Sequence, residues 1–304
     1  MHEALRPLGE IRALRDPVLL AAFVGFTDTT GGAAAALGYL AERWKAKPLA
    51  EIDPEPFYDF TVQRPRVRLE DGERVLDWPV NRFFVASPQG AQRDFVLLNG
   101  IEPHLRWKTF TGIIEEVLRA VGSTTSITLG AQPAGVPHTR PVPVTLSASH
   151  SEFERLFGLE APASRYQGQT GIVGVLNLHL RTQGWKNASL WALAPHYLTV
   201  GPNPNIGLSL LRLVDKAFGT RTPLDGLDEQ IEEFDAKVRE VVAESSEAAQ
   251  YVRQLEEQYD ANRPTTPALP EERAELPSTE DLLSDLERFL KRQRGDEGPG
   301  RGAE

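Results

Sequence analysis

Val18-Leu-Leu-Ala-Ala-Phe-Val-Gly25 runs into Phe26-Thr-Asp-Thr-Thr-Gly-Gly32 and then into Ala33-Ala-Ala-Ala-Leu-Gly-Tyr-Leu-Ala-Glu-Arg-Trp-Lys45. The first stretch is apolar without alternation, so neither of its faces is turned to water. That pattern belongs to a strand covered on both sides, as in a parallel sheet. Gly25 to Gly32 reads as a loop, and the Ala-rich run after it as a helix. A buried strand, a loop and a helix in that order open an α/β layer.

The same alternation continues outward. Pro48–Ile52 predicts a short strand. Asp71-Gly72 between Val67–Leu69 and Arg74–Leu76 predicts a tight hairpin, because Asp-Gly accepts positive φ. Phe83–Ala86, Phe95–Asn99, Ser126–Leu129 and Ser189–Ala194 predict further strands. Trp107–Val121 carries Phe110, Ile113, Ile114, Val117 and Leu118 on one helical face and stops at Gly122. His150–Phe157 predicts a short helix. Ile172, Val175, Leu176 and Leu180 predict another, with Thr170 as N-cap and Gly184 as stop. Ile206–Phe218 predicts one more. The expected fold class is α/β, a three-layer sandwich whose central sheet the hairpin makes mixed.

After Gly219 the pattern changes. Leu224, Leu227, Ile231, Phe234, Val238 and Val241 alternate by three and four, and the register runs on to Tyr259. A long coiled coil is one reading. Ser246 as a new cap favours the other, two helices folded back on the protein. The expected organisation is therefore a core domain over 1–221 and a packed helical hairpin over 222–260. A Pro-rich linker follows over 261–277, then an amphipathic helix over 278–292 and a disordered tail over 293–304.

Composition narrows the function. The chain of 304 residues has 40% hydrophobic content and no Cys. Disulfides, a thiolate nucleophile and a Cys-ligated zinc are excluded, and a cytoplasmic protein fits. The formal net charge is -10; residues 222–304 hold 22 acidic against 10 basic residues, while residues 1–221 are nearly balanced. An acidic third repels phosphate backbones and argues against nucleic acid. The longest apolar run, Val18–Phe26, is too short to cross a membrane, and Asp16-Pro17 is a poor flank for a signal peptide.

The chemistry-bearing residues fall after strands, where an open α/β sheet binds ligands. Asp28 follows the first strand. Glu102, His104 and Arg106 follow the Phe95–Asn99 strand, His138 and Arg140 follow Leu129, and His196 and Tyr197 follow Ala194. A catalytic reading makes Asp28 or Glu102 a base, His138 or His196 an acid or base, and Arg140 an anion clamp. A structural reading pairs Glu102 with Arg106 and uses the histidines as caps on backbone carbonyls. Gly168, Thr170 and Gly171, ahead of the Ile172 helix, offer N–H groups to an anion or simply allow a tight turn. No Gly-Lys pair exists for a phosphate loop, no Gly-x-Ser-x-Gly elbow exists, and no His pair has metal spacing. Neither a cofactor nor a metal is expected.

Taken in order, Leu98-Asn-Gly-Ile-Glu-Pro-His-Leu-Arg-Trp107, Leu129-Gly-Ala131, Pro137-His-Thr-Arg-Pro141, Tyr166-x-Gly-x-Thr-Gly-Ile172, Ser189-Leu-Trp-Ala192 and Pro195-His-Tyr197 resemble the bacterial, actinobacterial-type branch of the proteasome assembly chaperone 2 family. The resemblance spans roughly residues 17–260. It implies a phosphorylase/hydrolase-like fold, self-association, and work on other protein chains such as proteasome subunits. The first loop differs from the family's usual Gly-Trp-Asn-Asp-Ala, reading Gly25-Phe-Thr-Asp-Thr29. The balance falls on a non-catalytic, assembly-chaperone-like scaffold that binds itself and proteasome-related or other subunits. Leu227, Ile231, Phe234 and Val238 are its interface candidates. The alternatives are a hydrolase or transferase using the carboxylate/His crevice and a binder of a small anionic ligand.

Overall fold

The computed structural model describes residues 1–198 and 201–261. The linker, amphipathic helix and tail expected beyond residue 261 lie outside the described residues. Within these bounds the chain forms, in order, β1 (Leu5–Pro7), β2 (Val18–Val24), α1 (Gly32–Arg43), β3 (Lys47–Ile52), β4 (Arg66–Glu70), β5 (Glu73–Asp77), β6 (Asn81–Ala86), β7 (Phe95–Ile101), α2 (Trp107–Val121), β8 (Thr125–Ala134), β9 (Val144–Ala148), α3 (Glu152–Phe157), α4 (Ile172–Thr182), β10 (Lys186–Pro195), α5 (Pro204–Phe218), α6 (Leu227–Ala243) and α7 (Ser246–Ala261).

One eight-stranded sheet carries the fold, in the order β1-β3-β6-β7-β2-β8-β10-β9. Its centre, β7-β2-β8-β10, is parallel. The strands outside it, β6, β3 and β1 on one side and β9 on the other, are antiparallel. The sheet is therefore mixed, as expected, but for a different reason. The Asp71-Gly72 hairpin forms a two-stranded sheet of its own, β4-β5, and contributes nothing to the central one. Two short edge strands, β1 and β9, went unread in the sequence. Each pairs along one side only, so neither needs the continuous apolar run that marks a central strand.

β2 shows why the opening segment decides the fold. Alternate residues feed opposite layers: Val18, Leu20 and Ala22 pack with α1, α3 and α5, and Leu19, Ala21 and Phe23 pack with α2 and α4. All six are fully buried. Burying a large apolar side chain contributes about 1.5–3 kcal/mol, so this strand anchors both cores.

Beyond the sandwich, α6 ends at Ala243 and α7 begins at Ser246. The Ser245 hydroxyl, rather than Ser246, accepts the Ala248 N–H at 3.2 Å, and the continuous register breaks there. Leu227, Val238, Val252 and Leu255 are buried, and Leu224 and Ile231 pack on the α1/α5 core. Phe234 is half-buried. The stripe offered by the sequence as an interface thus faces largely its own chain. The reason is the short α6–α7 turn, which folds the apolar seam inward. Among the described residues no helix is long and apolar enough to cross a membrane.

Candidate functional site

The C-terminal ends of β2, β8 and β10 open on a cavity of 180 Å³, lined by Thr29, Thr30, Gln132, Pro133, Pro195 and His196 among others. Of the residues singled out in the sequence, His196 alone lines it. Asp28, Glu102, His138, Arg140 and Tyr197 lie outside its lining and bond to other parts of the chain.

Asp28 is fully buried. Its Oδ2 accepts the Ala34 N–H at 2.8 Å, so the side chain turns into the first turn of α1. The free N–H groups and the helix dipole there favour a negative charge. Burial pushes the carboxyl above the usual aspartate range, while the N–H groups of Ala34, Ala33 and Gly32 pull against it. Oδ1 and the hydroxyls of Thr27 and Thr30 are buried without a hydrogen-bond partner.

Glu102 performs the corresponding task at α4. Its Oε1 accepts the Ile172 N–H at 2.6 Å and its Oε2 accepts the Phe26 N–H at 2.7 Å. One carboxylate thus ties the loop after β2 to the start of a helix on the next connection. Two glycines make the space. A Cβ on Gly25, which has φ 150°, would lie 2.6 Å from the Glu102 Cβ. A Cβ on Gly171 would lie 2.8 Å from Oε1. The α4 N-terminus, where Gly168, Thr170 and Gly171 offered N–H groups to an anion, is filled by the chain's own carboxylate. Thr170 does not cap the helix. Gly171 holds that position without a side-chain bond, and the Thr170 hydroxyl lies where a Cβ on Gly174 would be. Gly168 packs against Tyr166, whose hydroxyl donates to the Gln169 carbonyl at 2.8 Å.

Arg106 is exposed, with φ 53° at the start of α2, and forms no ion pair with Glu102. Nearby, Tyr58 donates to the Ile101 carbonyl, and Asn81 bridges the Tyr58 hydroxyl and the Ile101 N–H. His104 Nδ1 accepts the Asp59 N–H at 3.0 Å. These bonds fasten the loop before the hairpin to the end of β7.

His138, Arg140, His196 and Tyr197 come together, as a dock for α7. The Tyr197 hydroxyl accepts the His138 N–H at 2.8 Å and hydrogen-bonds with its Nδ1 at 2.7 Å. His196 Nδ1 donates to the Ala134 carbonyl at 3.0 Å, which leaves Nε2 to accept from the Tyr251 hydroxyl at 3.0 Å. The Tyr197 and Tyr251 rings meet edge to face. Burial pushes the His138 imidazole below the ordinary histidine range and the Tyr197 phenol above the tyrosine range. Arg140 grips Asp260 with two bonds of 3.0 and 2.7 Å and reaches Glu256 at 3.4 Å, while Thr139 also bonds Glu256. The Tyr259 hydroxyl donates to the Pro141 carbonyl. The sequence reading gave Tyr251, Glu256 and Asp260 no role at this site, although the Tyr251-Val-x-x-Leu-Glu256 stretch belongs to the family resemblance. Glu256 and Asp260 are one helical turn apart on α7, the spacing of two acidic groups that share one partner.

Elsewhere, a groove of 650 Å³ lies at the opposite end of the sheet, but its charged groups pair with one another, Arg93 with Asp16 and Lys186 with Glu152. His179 is bonded to Glu115 at 2.6 Å. Among the described residues no group of metal-ligating side chains is assembled.

Together these contacts define a class: a three-layer α/β sandwich with a docked helical pair and a small cavity at the strand ends. The PAC2 family profile matches residues 22–242, and the chain belongs to the PAC2 family. A PAC2 family protein of Streptomyces avermitilis is 38% identical, the match covering 78% of this chain and 100% of that one, with a TM-score of 0.71. A proteasome-assembly chaperone homologue of Mycobacterium tuberculosis is 40% identical over 77% of this chain and 99% of its own, with a TM-score of 0.68. An archaeal proteasome activator of Pyrococcus furiosus shares the fold, with a TM-score of 0.62 at 18% identity over 78% of this chain and 97% of its own. No curated protein matches.

Proposed function

We propose that this chain is a non-catalytic, assembly-chaperone-like scaffold that acts in the cytoplasm on protein subunits, proteasome-related ones foremost, and needs no cofactor. One observation carries this reading: at the strand ends the N-termini of α1 and α4 are occupied by the chain's own carboxylates, Asp28 on α1 and Glu102 on α4. A substrate phosphate or carboxylate would have to displace a bonded, charge-matched group. Arg140, the obvious anion clamp, is bound to Asp260 and Glu256. The mycobacterial relative, a proteasome-assembly chaperone homologue, suggests the kind of partner.

The test mixes the purified chain with proteasome α subunits of its own organism and reads co-elution. A stable complex, retained by Asp28→Asn and His196→Ala, is the expected result. The rival reading starts from the unpartnered Asp28 Oδ1 beside the cavity. Turnover of an esterase, nucleosidase or phosphatase substrate that disappears in those two variants establishes an enzyme instead.

A further inference from the structure

α6 and α7 meet at a corner of two residues, Glu244 and Ser245. Glu244 keeps helical angles, φ −70° and ψ −19°, so the break falls on Ser245. Gly and Pro are the common signals that end a helix. Neither stands between Leu227 and Ala261. The apolar spacing, unlike the helix, does not break. From Leu224 to Tyr259 its steps alternate three and four without a slip, and Ser245 and Ala248 take their places in the stripe. Two helices that meet at a corner need no common phase, since each turns its own face to the core. One continuous helix does need it. The corner is capped by the Ser245 hydroxyl, which accepts the Ala248 N–H at 3.2 Å.

α7 is fastened mainly at its rim. Only Val252 and Leu255 are buried along it. Its bonds to His196, Thr139, Arg140 and Pro141 are mostly exposed. A segment with few buried apolar contacts and exposed bonds opens locally before the rest of the fold. At the corner the stripe is uncovered: Val241 is 66% exposed. With the corner straightened, α6 and α7 form one helix roughly 50 Å long, and α7 points away from its own dock. Two such helices laid antiparallel about the corner bring each α7 to the dock of the other copy. Every dock contact is then remade between copies. Val241 of each meets Ala248 of the other along the stripe, so the apolar surface left open at the corner is covered.

We propose that α7 is exchanged between two copies of this chain by straightening of the corner at Ser245, each dock of the resulting dimer holding the second copy's α7. A short hinge between docked elements favours such an exchange, which closes with two-fold symmetry. The inference goes beyond the scaffold reading and does not depend on it, since a chain that binds no proteasome subunit can still exchange its helix.

The chain has no Cys, so introduced thiols report which copy supplies α7. Thr139 and Glu256 are bonded across the dock. The double variant Thr139→Cys/Glu256→Cys, kept dilute, should be linked within one chain by a short bismaleimide, which shows the dock intact. A Thr139→Cys chain and a Glu256→Cys chain, mixed at high concentration, should be linked to each other between these two positions, as read by peptide mass spectrometry. Contact between closed chains leaves each 139–256 pair within its own copy. Ser246→Pro should abolish the link between chains. Ser246 opens α7, where Pro is favoured. In the corner the Val242 carbonyl accepts the Ser245 N–H; in a straight helix it would need the Ser246 N–H, which Pro lacks. An unchanged thermal midpoint shows that Ser246→Pro remains folded. Ser245→Ala removes the cap and should raise the association constant at least about tenfold, because each dimer contains two corners. Val241→Glu should lower it and leave the closed chain as stable as before. Absence of a link between the mixed chains overturns the proposal. So does a link indifferent to Ser246→Pro, or one that neither Ser245→Ala nor Val241→Glu alters.

Discussion

At the scale of single residues, Glu102 is the most informative side chain. It accepts backbone N–H groups from two separate segments, Phe26 and Ile172. Truncation frees both donors; water can take the exposed Phe26 N–H, but the Ile172 N–H lies at a buried residue, where an unsatisfied donor costs about 1–3 kcal/mol. Glu102→Ala should therefore lower the unfolding free energy by about 1–3 kcal/mol, seen as a lower urea midpoint at unchanged slope, and Glu102→Gln should lower it less. The variant should also gain something the wild type lacks. With the α4 N-terminus vacated, added sulfate or phosphate should raise the melting temperature of Glu102→Ala more than that of the wild type. Equal responses of the two proteins to the anion would mean that the carboxylate does not occupy an anion site. The sequence placed Glu102 correctly after a strand, yet its task was illegible there. Its partner Ile172 lies 70 residues away, and only the sheet brings the two together.

At the scale of elements, the α7 dock should respond to pH through His138, which bonds to Tyr197 beside Tyr251. The His138 pKa is lowered by burial, with Asp235 and Glu256 pulling it up and Arg239 pulling it down. A group whose folded pKa is depressed binds protons less readily when folded. For a histidine this means that the docked form prefers the neutral ring. Its contribution is complete above the ordinary value of about 6.5 and is lost as the pH falls through the lower folded value. Hydrogen exchange of α7 amides, corrected for intrinsic rates, should show protection falling over that window. His138→Gln, which cannot titrate, should flatten the dependence, and a profile unchanged by the substitution would refute the assignment. The heptad stripe announced α6 and α7 clearly. It left open which surface they cover, because a seam of Leu227, Ile231, Phe234 and Val238 serves a coiled coil, a partner or the chain's own core equally well.

At the scale of the whole molecule, β2 couples the two cores. Phe23 is fully buried and stacks edge to face on Phe110, while its neighbour Ala22 faces the other layer. Phe23→Ala should cost about 3–5 kcal/mol. Because one strand serves both faces, the loss should appear equally in amides of α1 and of α2 under conditions of global exchange. Destabilisation confined to the α2/α4 side would show that the layers unfold separately. The same central sheet explains why the β4–β5 hairpin can be exposed without weakening the fold: it shares no backbone bond with the eight strands.

What the sequence determined by itself is local and periodic. The unbroken apolar run of β2, the helical faces of α2, α4 and α5, and the Asp-Gly turn each state an element within a few residues, since burial and backbone propensity act over that range. The ordered motifs likewise specified the family. What only the tertiary structure decided is pairing. Asp28 and Glu102 read as possible bases, and Arg140 as a free clamp, because charge and position after a strand are local properties. Whether such a group is free depends on which donor the fold sets against it. Ala34 meets Asp28 within six residues once α1 forms, but Phe26 and Ile172 for Glu102, and Asp260 for Arg140, are supplied by chain segments that meet only once the whole fold is assembled.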